Sequence, residues 1–107
     1  MDWQMNDASR WTAKIQGARS DAEVVRIVRD YLASWAPAEI AAIATGVRPD
    51  GLRDRVEICE AAVEVAKAEL SFAGDPQAHR RLRELVAVLI ASSNRFGQLE
   101  GPLRGGI

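Results

Sequence analysis

Residues 70–79, Leu-Ser-Phe-Ala-Gly-Asp-Pro-Gln-Ala-His, decide the fold. Gly74 is a helix stop, Asp75 can cap a new helix, and Pro76 suits that helix's first turn, where a missing N–H breaks no bond. Helical apolar spacing extends far in both directions from this stop. Downstream, over about 76–96, Leu82, Leu85, Val86, Leu89, Ile90 and Phe96 form one stripe, and Gly97 follows. Upstream, a helix is predicted over about 52–73. Each helix has about 22 residues, or roughly 33 Å, and a link this short forces the two to lie antiparallel.

The upstream helix is apolar on two sides. Leu52, Val56, Cys59, Val63, Ala66 and Leu70 repeat at four-three spacing and make the expected core stripe. Ile58, Ala62, Val65 and Phe72 lie roughly 130° around the axis, at 100° per residue. Polar residues are confined to Arg53, Glu57, Glu60, Glu64, Lys67 and Ser71. A helix apolar on two sides touches neighbours on two sides, so this one is either central or carries a subunit contact.

Three shorter helices precede the hairpin. The first is predicted from about Asp7 to Gln16, with Trp11 and Ile15 on one face and Gly17 as its stop. The second opens on the capping box Ser20-x-x-Glu23 and then sets Val24, Ile27, Val28, Tyr31, Leu32 and Trp35 on one face. Ala36-Pro37 ends it and starts a third, running to about Thr45. Trp35 and Ile40 stand in the hydrophobic-staple positions of that third helix. Pro49-Asp50-Gly51 is a turn signal before the long hairpin. The predicted fold is therefore all-α: a compact bundle of about five helices built on the antiparallel hairpin. Residues 1–97 form one helical domain, and the glycine- and proline-bearing residues 98–107 are expected to be a disordered tail.

Composition narrows the function. With 107 residues, 48% hydrophobic and 27% charged, the chain can bury a core without disulfides or metal. Fourteen basic and fifteen acidic residues leave a net charge of −1, which gives no overall attraction to nucleic acid or an anionic membrane. The opening residues MDWQMNDASRW lack a basic stretch followed by an apolar one, so no signal peptide is expected. The longest apolar run, Leu85 to Ala91, is too short to span a membrane, which takes about 20 residues. With a single cysteine, Cys59, the expected compartment is the reducing cytoplasm.

Residues able to carry chemistry are sparse. Zinc sites take three or four ligands, mostly Cys and His, and this chain has one of each, Cys59 and His79. Counting outward from the turn puts His79 opposite Leu70 to Phe72, about three turns from Cys59, so the two do not form a nucleophile and base. The glycines are isolated stops with no strand before them, which excludes a phosphate loop. No catalytic residue, metal or cofactor is expected.

Two surfaces remain. Arg80, Arg81 and Arg83 are the best nucleic-acid candidate, although pairing of Arg80 and Arg81 with Glu69 or Glu84 is the better account, which makes nucleic acid the lesser reading. The apolar excess of the hairpin is the stronger signal. Leu85 to Ala91 is apolar nearly all round, and the upstream helix adds its second face. The leading expectation is a non-enzymatic, homodimeric protein acting by protein–protein contact through Val65, Phe72, Val88 and Ala91. A third reading is a small-ligand pocket between helices near Tyr31 and His79.

Overall fold

A computed structural model describes the backbone at residues 3–43, 47 and 51–105, and the side chains at 8–43, 47 and 51–100. Among the described residues the chain forms five α-helices and no strand: α1 Trp3–Gln16, α2 Asp21–Ala33, α3 Pro37–Ile43, α4 Arg55–Leu70 and α5 Pro76–Gly105. The long pair is antiparallel. Glu69 meets His79 at 3.0 Å beside the turn, and Cys59 meets Ser93 at 3.4 Å three turns further out. The bundle on a helical hairpin is thus as the spacing predicts.

Capping chemistry sets the boundaries. At α2, Ser20 Oγ accepts the Glu23 N–H at 3.1 Å, and Glu23 Oε1 accepts the N–H of Arg19, one residue earlier than the usual box, at 2.9 Å. At α3, the Ala36 N–H donates to Glu39 Oε1 at 2.8 Å, and Trp35 and Ile40 both join the core, as a staple requires. The end predicted for this helix, Thr45, and the turn residues Pro49 and Asp50 lie outside the described residues.

α4 begins at Arg55, three residues later than its apolar spacing suggests. Asp54 accepts the Glu57 N–H at 3.0 Å and Glu57 accepts the Arg53 N–H at 2.9 Å, so Asp-x-x-Glu is a second capping box. Leu52 is buried ahead of the helix rather than on it. The helix stops at Leu70, and Phe72 folds back over the turn. A Cβ at Gly74 would stand 2.6 Å from the Phe72 ring, so only glycine lets the ring lie there. Asp75 then caps α5, accepting the N–H groups of Gln77 and Ala78 at 2.9 and 3.2 Å.

α5 corrects the expected end of the domain. It does not stop at Phe96 but continues through Gly97 to Gly105, so residues 98–105 are helix rather than a disordered tail. Gly97 has open space where a Cβ would be, and a glycine permits a stop without compelling one. Side chains hold this last part: Arg95 bonds Gln98 at 3.0 Å, Leu99 packs on the core, and Glu100 pairs with Arg55. At 30 residues α5 is about 45 Å long, close to the 48 Å longest dimension of the molecule.

α5 is the spine against which the other four helices pack, while α4 touches little besides α5 and, more lightly, α2. The core is built from Ile15 of α1, Val24, Val28 and Leu32 of α2, Ile58 and Val65 of α4, and Leu82, Leu85, Val88 and Leu89 of α5. Arg95 reaches across from α5 to the α1–α2 turn, where its Nε and Nη2 donate to the carbonyl of buried Ala18 at 2.9 and 2.7 Å. That bond satisfies a carbonyl no helix could use.

Candidate functional site

The expected interface residues lie mostly inside. Val65 and Val88 are fully buried in the protomer core, with no surface left for a partner. Phe72 is half-buried over Gly74, its ring 5.3 Å from that of His79, and Ala91 is half-buried against the core. The apolar belt of α5 is therefore covered largely by the protein's own helices.

The exposed apolar surface is the other face of α4. Val56 is 60% exposed, Val63 53% and Leu70 86%; on α5, Ile90 is 42% exposed. Three of these stand seven residues apart, with half-buried Cys59 and Ala66 between them, in the four-three row expected to be core. The structure turns that row outward and buries Ile58, Ala61, Ala62 and Val65. The buried face sets two adjacent alanines, Ala61 and Ala62, between Ile58 and Val65, and this is the face that packs on α5.

This outer face is bounded differently on its two sides. One flank carries Glu60, Glu64 and Lys67, all exposed. The opposite flank leads to α5, where Cys59 contacts Ser93, and Ile90 stands one turn before Ser93 on the same side of that helix. Val56, at the N-terminal end, borders an open groove between the starts of α2 and α4, shared with Asp21, Val25 and Arg55.

The arginine cluster is dispersed. Arg81 is mostly buried: it bonds Glu84, approaches Glu39 Oε2 at 3.3 Å, and stacks its guanidinium 4.3 Å from the centre of the Trp35 ring. Arg80 and Arg83, three residues apart, are exposed together on a face of α5 turned away from Arg81. Arg53 pairs with Glu57, and Arg55 with Asp21 and Glu100. These residues do not form one basic patch.

Tyr31 is enclosed by protein, whereas His79 is partly exposed beside the hairpin turn. Tyr31 is buried between Trp11 and Trp35, at ring distances of 5.5 and 6.1 Å, and donates its hydroxyl to Glu84 at 2.9 Å. Burial, with the Glu84 charge beside it, pushes the phenol's pKa far above its ordinary value. His79 is held by Glu69 and Phe72, partners it does not share with Tyr31. Among the described residues no group of three or more His, Cys, Asp or Glu side chains is placed to hold a metal ion, and no helix is long and apolar enough to cross a membrane.

What the sequence reading missed is which of two apolar faces points out. The seven-residue row is legible in the sequence, but periodicity does not say which of two apolar faces packs on α5. The chain matches no protein-family model, no curated protein and no solved structure.

Proposed function

We propose that this protein works by protein–protein contact rather than by chemistry, and that a second copy of the chain binds the outer face of α4. The observation that carries this reading is the exposed row Val56, Val63 and Leu70, extended by Ile90. Apolar side chains repeated at seven-residue intervals on a helix are what a partner helix needs for knobs-into-holes packing. Left in water, the row has no role in the protomer. α4 is about 24 Å long, which limits the contact to the small end of specific interfaces.

Sedimentation velocity across a concentration series tests the proposal. The wild-type chain should shift from monomer to dimer as the concentration rises through the series. Val63→Asp should hold it as a helical monomer. A wild-type monomer throughout the series would reject the reading.

A further inference from the structure

The self-association proposed above has one arrangement that the charges along α4 favour, and the inference rests on that reading. We infer that two copies pair their α4 helices antiparallel about a two-fold axis, with Val63 of each facing Ala66 of the other, so that Glu60 of each protomer meets Lys67 of the partner subunit on the rim.

The argument starts from position. Taking Val56, Val63 and Leu70 as the first positions of successive heptads, Cys59 and Ala66 fall at the fourth, and Glu60 and Lys67 at the fifth. Residues at the fifth position lie on one flank of the seam, and in an antiparallel pair that flank faces its own copy. When Val63 is level with Ala66 of the partner subunit, Cys59 is level with Leu70. Glu60 then comes within two residues, about 3 Å along the axis, of Lys67 of the partner subunit. The two-fold repeats the pair, giving two opposite-charge contacts. Glu60 and Lys67 are both exposed, and no ion pair within the protomer engages either among the described residues.

Other registers lose this complementarity. Sliding the pair by one heptad in one direction brings Glu60 against Glu60; sliding it in the other brings Lys67 against Lys67. Like charges placed opposite each other select against both. A parallel pairing sets Lys67 beside Ala62 of the partner subunit. It leaves Glu60 to Arg55, which already binds Asp21 and Glu100 in its own protomer. Parallel helices would also bring the two Cys59 thiols together, whereas the antiparallel register holds them about eleven residues, or roughly 16 Å, apart along the axis. That is beyond the reach of a disulfide.

Charge reversal tests the arrangement on the full chain. Glu60→Lys and Lys67→Glu each convert two attractive contacts into two repulsive ones, and each should weaken dimerisation at least about tenfold in sedimentation experiments. The double variant E60K/K67E restores both contacts and should return to within about threefold of wild type. Circular dichroism checks that these exposed substitutions leave the fold intact. A dimer indifferent to all three variants, or one trapped by a Cys59 disulfide under mild oxidation, would overturn the antiparallel register while leaving self-association standing. A wild-type monomer would remove both.

Discussion

The Tyr31 hydroxyl on α2 donates to the Glu84 carboxylate on α5 at 2.9 Å, and Arg81 bonds that same carboxylate from one turn away. One acid thus joins two helices while its charge is balanced by the guanidinium lying over Trp35. Burial favours the neutral phenol, so the folded state holds its proton to higher pH than the unfolded chain does. The stability this adds is complete below the ordinary tyrosine pKa of about 10, and is lost as pH rises from there toward the raised folded value. Tyr31 is the only tyrosine in the chain, so phenolate absorbance reads it directly. Wild-type protein should show no phenolate until it unfolds in alkali. Tyr31→Phe should flatten the alkaline fall in melting temperature relative to wild type; equal slopes would refute the assignment.

Val88→Asp and Val63→Asp should behave oppositely. Val88 is fully buried, so an aspartate there places an unpaired carboxylate in the core and should destabilise the fold by several kcal/mol, with loss of helical circular dichroism. Val63 is exposed, and Val63→Asp should keep its helicity and lose only the dimer. Retained structure in Val88→Asp would contradict its placement.

Arg95→Ala should destabilise more than an ordinary surface change. It leaves the buried Ala18 carbonyl without the two bonds at 2.9 and 2.7 Å, an unsatisfied acceptor that costs about 1–3 kcal/mol. Chemical denaturation measures this, with Arg80→Ala, an exposed arginine on the same helix, as the comparison.

Asp54→Ala removes the cap of α4 and should cost about 1 kcal/mol in the same assay. Glu57, the other half of that box, has its pKa lowered chiefly by the hydrogen bond from the Arg53 side chain, then by the Arg53 backbone N–H. Its contribution is present above the ordinary carboxylate pKa and fades as pH falls through the lowered value. Glu57→Gln should therefore differ from wild type near neutrality and approach it in acid. A difference independent of pH would mean the carboxylate charge is not involved.

The turn at Gly74-Asp75-Pro76, the cap at Ser20 and the core stripe of α2 could be read from sequence because each rests on residues close together in the chain. Phe72 was harder: its ring position depends on the absence of a Cβ at Gly74, which periodicity does not register. Arg95 could not be assigned at all, because its partner Ala18 lies 77 residues away. The extension of α5 past Gly97 was hidden for a similar reason, since Arg55, near the start of α4, pairs with Glu100.

Sequence by itself determined that the chain is helical, where α2 and α3 begin, and that the long helices run antiparallel. These follow from local hydrogen-bond capping and from the short reach of the turn. Only the tertiary structure decided which apolar face of α4 is inside. Both faces satisfy the same periodicity, and the choice depends on which of them fits against α5 in the folded bundle. That fit buries Ile58 and Val65 and leaves Val56, Val63 and Leu70 in water. It moved the candidate contact surface from Val65, Phe72, Val88 and Ala91 of the hairpin to the outer row of α4.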